Sequence, residues 1–182
     1  PKTIRNPLHH WAHLELKRYF DCDLVLSPAT AEEVWELTNA KLAETDFTTQ
    51  NILRKFDLRV VGTTDDPVDS LEHHQTFAAS EHPTRMCPTF RPDKAMITTD
   101  LERWNDYIDR LADTVEGQLD SAADLLAALK DRHDYFHENG CRLTDHGLET
   151  CPFAPCSAEK AETIFKKLRD GHHPDAQETE QW

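Results

Sequence analysis

Basic residues are scarce in this chain. Its 182 residues hold 20 Lys and Arg against 34 Asp and Glu, a net charge of −14. No basic face is available to neutralise phosphates, so a general nucleic-acid binder is excluded, and so is attraction to anionic membranes. Long apolar runs are also missing, and none approaches the length of a membrane span. No secretory leader pattern opens the chain. The five cysteines, Cys22, Cys87, Cys141, Cys151 and Cys156, include no CxxC pair. That spacing suits neither a zinc knuckle nor a disulfide scaffold, and it predicts reduced thiols in a cytoplasmic protein. With five glycines in all, there is no glycine-rich phosphate loop. There is also no GxSxG elbow and no dinucleotide fingerprint.

What is there suits a folded domain, with 38% hydrophobic and 30% charged residues. The first part reads as helical. Asn6 is placed to cap and Pro7 fits a first turn, after which Leu8, Trp11, Leu14, Leu16 and Tyr19 recur at roughly helical spacing. A second helix follows "SPAT", with Thr30 and Glu33 at capping-box spacing. A short third one runs over about 48–54.

The pattern then changes. "LRVVGTT" (58–64) is short, β-branched and turn-bounded, which predicts a buried strand. "DDPVDSLEHHQTFAAS" predicts a helix capped by Asp66 with Pro67 at its first position. "RMCPTF" (85–90) reads as a second strand, although Pro88 cannot donate to a ladder. Helices are expected over 100–114 and 121–139. Ser121 starts the latter and Gly140 stops it. "CRLTDH" (141–146) reads as the third strand and 157–171 as another helix. The last eleven residues read as a loose polar tail. This order predicts an α/β fold of about three parallel strands with crossover helices after a mostly helical segment. The expected divisions are 1–56, 57–171 and 172–182. Three such units make either a small open sheet or a slice of a (β/α)8 barrel.

The three strands end in polar clusters, "TTDDP", "TFRPD" and "LTDHG". In parallel α/β folds the C-terminal strand ends form the active face. Asp65 could orient a sugar hydroxyl or hold a water, whereas Asp66 is well explained as a cap. Arg91 offers a planar fork suited to a carboxylate, against the plainer role of a structural salt bridge. Asp93 could brace that fork or cap a following helix. Asp145 and His146 are adjacent, and His146 could be a general acid or base, a donor to substrate or a metal ligand. "HHWAH" places His9 and His13 four apart on one helix face but lacks the glutamate of HExxH, so packing is the plainer reading. His73, His74, His172 and His173 have no partners at useful spacing and read as solvated.

Taken together, "NPLHHWAHLELKRYF", "VVGTTDDPVDSLEHH", "PTFRPDKA" and "CRLTDHGLE" with the following "PFAP" resemble uronate isomerase, also called glucuronate isomerase. The resemblance runs from Pro1 to about Pro155. It implies a (β/α)8 barrel of the amidohydrolase superfamily, with residues 1 to about 56 as part of a helical insertion. It also implies bacterial hexuronate catabolism, converting D-glucuronate to D-fructuronate and D-galacturonate to D-tagaturonate through an enediol. It points to Arg91 as a ligand for the uronate carboxylate and to Asp145 and His146 as catalytic candidates, while Asp65, from its place at the first strand's end, is the other substrate-binding candidate. The family's zinc or other divalent metal is held by an HxH pair and an aspartate on other strands. No HxH occurs here. The chain therefore resembles an internal segment, with no metal ligand or cofactor expected within it and no activity expected from it alone. A non-catalytic acidic-sugar or protein binding module, and a related metal-dependent hydrolase, are the alternatives. The open sheet edges of such a slice would favour a homo-oligomer.

Overall fold

The computed structural model describes residues 4–148 and 153–182. Cys151 therefore lies outside the described residues, while Cys22, Cys87, Cys141 and Cys156 are free thiols. The chain divides into two compact units, one up to Leu58 and one from Arg59 to Trp182.

The first unit is helical. In α1 (Pro7–Phe20) the Asn6 side chain accepts from the Leu8 N–H at 2.9 Å and Pro7 opens the first turn. Asp21 ends it in the left-handed region. In α2 (Ala31–Leu42) the expected capping box does not form. The Thr30 hydroxyl instead turns back to the preceding loop, accepting the Ser27 N–H at 3.0 Å and donating to the Val25 carbonyl at 2.6 Å. Thr48 caps α3 (Thr49–Lys55).

The second unit carries short parallel strands among helices. Strand β1 (Val60–Gly62) pairs in parallel with β2 (Arg85–Cys87), Val60 facing Arg85. Pro88 interrupts the 85–90 run, as a residue without an N–H must. The run resumes as β3 (Thr89–Phe90), which pairs in parallel with β4 (Leu143–Thr144). Backbone bonds continue across the break, with Asp65 N–H donating to Thr89 O and Arg91 N–H to Asp65 O, each at 3.0 Å. The third strand is thus shorter than 141–146. The Cys141 N–H is taken by Phe136 O, which closes the end of a helix rather than a ladder.

The helix after β1 starts later than its sequence suggests. Asp66 accepts from the Val68 N–H and Asp69 accepts from the Asp66 N–H, so these residues make a turn of their own. Helix α4 (Glu72–Ala79) then follows a left-handed Leu71. A single turn, α5 (Asp93–Met96), follows β3. Asp100 caps α6 (Leu101–Thr114), Ser121 caps α7 (Ala122–Glu138), and Ser157 caps α8 (Ala158–Arg169). Gly140 ends the turn after α7 at φ 96°, a conformation that costs glycine little.

Residues 172–182 are not loose. Asp175 and Glu178 form a capping box for α9 (Ala176–Gln181), and Trp182 stacks edge-on with Trp104. The polar composition of this stretch hid a single large aromatic anchor. The main core lies between α6, α7 and α8, where Trp104, Ile108, Leu111, Leu125, Phe165 and Leu168 are buried. A smaller cluster of Leu71, Phe90, Phe136 and Cys141 sits under the strands. Phe90, the last residue of β3, crosses Phe136 edge to face at 5.2 Å, and so the strand end that carries Arg91 is anchored.

Candidate functional site

The chain segments leaving β1, β3 and β4 meet at one end of the strands, and polar side chains lace them together. Arg91 and Asp93, just past β3, each reach the segment after β4. Arg91 lies side-on to Asp145, with Nε 3.0 Å from Oδ1 and Nη2 bonded to Oδ2. The Asp145 carboxylate raises Arg91 above its ordinary value, and Arg91 in turn lowers Asp145 below the usual carboxylate range. Asp93 is nearly buried. One of its oxygens lies 2.7 Å from His146 Nδ1, and the other accepts the Gly147 N–H at 2.7 Å. The carboxylate of Asp93 accepts from His146 Nδ1, which fixes the ring, and the imidazole is partly exposed. Lys94 completes the lacing at 3.0 Å from Asp66 on the segment after β1.

Three of the four site residues expected from sequence, Arg91, Asp145 and His146, therefore stand together. The fourth does not share their surroundings. Asp65 turns into the protein, where Oδ2 accepts the Thr63 hydroxyl at 2.6 Å and the Thr89 N–H at 3.0 Å. His74 backs this pair, with Nε2 at 2.7 Å from the same hydroxyl and 3.6 Å from Asp65 Oδ1. The solvated reading holds for His73, His172 and His173 but fails for His74, which is buried. A signal was present: His74 stands three residues after Leu71, the spacing that shares one helical face with a buried leucine. Asp93 was expected to brace the Arg91 fork or cap the next helix; it holds His146 and Gly147 instead, and Asp145 braces the fork.

The "HHWAH" pair is structural. Both ring nitrogens of His13 face backbone, Nδ1 toward His9 O at 2.6 Å and Nε2 accepting the Leu26 N–H at 2.9 Å. Among the described residues no three His, Cys, Asp or Glu side chains converge as a metal would require. The described residues therefore offer no ready set of metal ligands. A cleft of about 420 Å³ lies between α4, the start of β2 and the end of α7, lined by His74, Phe77, Arg85 and Asn139 among others. It contains none of Arg91, Asp145 and His146, so the convergence of charged groups, not cavity volume, locates the candidate site.

The glucuronate isomerase family model matches residues 1–182. The chain belongs to the glucuronate isomerase family. It is 45% identical to uronate isomerase of Cellvibrio japonicus over 184 residues, covering all of this chain and 39% of that protein. It is 46% identical to uronate isomerase of Solibacter usitatus, covering 98% of this chain and 38% of that protein. The crystal structure of uronate isomerase from Thermotoga maritima superimposes with a TM-score of 0.88 at 33% identity, over all of this chain and 40% of that one. Glucuronate isomerase from Caulobacter crescentus gives a TM-score of 0.82 at 26% identity, over 92% of this chain. The chain thus spans about two fifths of the length of these family members. Among the described residues no helix is long and apolar enough to cross a membrane.

Proposed function

We propose that this chain supplies one wall of the active site of an aldose–ketose isomerase acting on hexuronates, with Arg91 as the ligand for the substrate carboxylate. The reaction is the interconversion of D-glucuronate with D-fructuronate and of D-galacturonate with D-tagaturonate. The observation that carries the reading is the placement of Arg91. Its guanidinium stands at the C-terminal end of β3, a third exposed, in a family whose curated members are uronate isomerases. The three parallel runs at 60–65, 85–91 and 143–144 would be part of a (β/α)8 barrel, whose catalytic groups gather at this end.

His146 is the proton-handling candidate of this wall. Its Nε2 is a hydrogen-bond acceptor for a sugar hydroxyl, and Asp93 fixes the ring. Asp145 acts on the substrate through Arg91, whose plane it sets. A divalent metal such as zinc would be held by parts of the enzyme other than this chain, and would polarise the oxygens next to the transferred proton. The working protein is a cytoplasmic bacterial enzyme.

The test is a steady-state assay of the full-length polypeptide with both uronates, beside its Arg91→Met variant. Turnover is expected, with KM for Arg91→Met raised by about tenfold or more, as loss of a charge-assisted contact implies. Absence of turnover on either sugar acid would remove the isomerase assignment.

A further inference from the structure

A guanidinium can hold a carboxylate along either of two edges, Nε with Nη2 or Nη1 with Nη2. In Arg91 the first edge is taken by Asp145. Nη1 makes no hydrogen bond among the described residues, and the chain beside it is Gly147. A Cβ added at Gly147 would stand 3.7 Å from Arg91 Nη1 and 3.4 Å from Asp93 Oδ2. The backbone does not require glycine there, because the positive-φ glycines are Gly140 and Gly171. What glycine supplies at 147 is open space beside Nη1. Its N–H, held at 2.7 Å by Asp93, keeps that space in place.

We infer that Asp145 and Gly147 together reserve the Nη1–Nη2 edge of Arg91 for the ligand's carboxylate. Asp145 is a positioning residue that fixes the plane of the fork, and Gly147 is a specificity-determining position. This rests on the reading that Arg91 binds the uronate. A carboxylate oxygen approaches a guanidinium nitrogen to about 2.7–2.9 Å. A methyl group in van der Waals contact with Nη1 narrows the directions from which it can do so. The carboxylate carbon of a hexuronate is C6, whereas the proton moves between C1 and C2. The contact is therefore alike in ground and transition states, and weakening it raises KM more than it lowers kcat.

The experiment is steady-state kinetics of the full-length polypeptide on D-glucuronate, comparing Gly147→Ala, Asp145→Asn and Arg91→Met, with thermal melting to verify folding. Gly147→Ala is expected to raise KM about fivefold or more with kcat within about twofold, the split that marks uniform binding. Asp145→Asn is expected to raise KM as well, since the fork loses its charged brace. If Arg91→Met raises KM while both other variants leave it unchanged, the edge assignment is overturned and Arg91 as carboxylate ligand stands. If Arg91→Met itself leaves KM unchanged, the underlying reading fails instead. Should Gly147→Ala not fold, Asp145→Asn alone decides, and an unchanged KM overturns the inference.

Discussion

His74 Nε2 lies 2.7 Å from the hydroxyl oxygen of Thr63, and that hydroxyl lies 2.6 Å from Asp65 Oδ2. A hydroxyl has one proton to give. If Thr63 gives it to the carboxylate, the imidazole must be the donor to Thr63, which makes His74 the Nε2–H tautomer. Asp65 also accepts the Thr89 N–H, so this relay ties β1, β3 and α4 into one unit just beneath Arg91. Nitrogen shifts of the His74 ring in NMR are expected to show Nε2 protonated. A protonated Nδ1 with bare Nε2 would reverse the relay and refute this order of donors.

Thr63→Val keeps the shape of the side chain and removes the relay's central atom. The buried His74 donor then loses its partner, while Asp65 Oδ2 keeps only the Thr89 N–H. Leaving a buried polar group unsatisfied costs about 1–3 kcal/mol, and the variant is expected to lose stability in that range by chemical denaturation. A loss of only a few tenths would mean that water replaces the hydroxyl and that the relay is not a structural tie.

Phe136 is fully buried, and its ring crosses that of Phe90, the residue before Arg91. Phe136→Ala should cost about 3–5 kcal/mol, the range for truncating a core aromatic. The cavity would open against Phe90, so the fork of Arg91 loses its footing as well. Phe136→Leu fills most of the space and is expected to recover more than half of the lost stability. Equal losses for the two variants would show that the site does not depend on how this position is filled.

Phe136, Arg91, Asp66 and His74 differ in how far they were legible from sequence. Helix α7, which carries Phe136, was legible because its signals are local: Ser121 before it, Gly140 after it and apolar spacing between. The pairing of Arg91 with Asp145 spans 54 residues, and no local rule carries such a distance. Each residue could be named as polar at a strand end, but not the fact that they satisfy one another. Asp66 failed for a different reason. Asp before Pro reads as a helix start, and the side chains of Asp66 and Asp69 closed a turn first. His74 failed because residue type outweighed periodicity. The family resemblance, carried by long motifs in fixed order, identified the relatives correctly where single residues could not.

Trp182 lies 87 residues from Ala95, yet its indole N–H donates to the Ala95 carbonyl at 3.1 Å. The same oxygen accepts the Trp104 indole at 2.9 Å. Two tryptophans thus hold the turn that begins with Asp93. Trp182→Phe preserves ring packing and removes one of the two donors. Because the carbonyl keeps the other, the loss should sit near the low end of the usual range for a hydrogen bond, about 0.5 kcal/mol. Trp104→Phe, at a fully buried position, should cost more. A larger loss for Trp182→Phe than for Trp104→Phe would assign the anchoring role to the C-terminal tryptophan instead.

Glu178 gives the pH prediction. Its carboxylate, almost out of contact with solvent, lies 2.8 Å from Lys160 and 2.6 Å from Lys167 on α8, and it also accepts the Asp175 N–H. Hydrogen bonds from the two lysines and then from the backbone bring its pKa down from an ordinary 4.5 to about 2. Between those values the unfolded chain binds a proton that the folded chain refuses, so stability rises with pH across the window. The contribution is complete above about pH 4.5 and is lost as pH falls toward 2. Glu178→Gln cannot carry the charge and should melt lower than the parent at pH 7. The gap between the two melting temperatures should narrow steadily below pH 4.5. A gap that stays constant down to the acid limit would mean that Glu178 acts as a neutral hydrogen-bonding group and that the lysines do not anchor α9 through its charge.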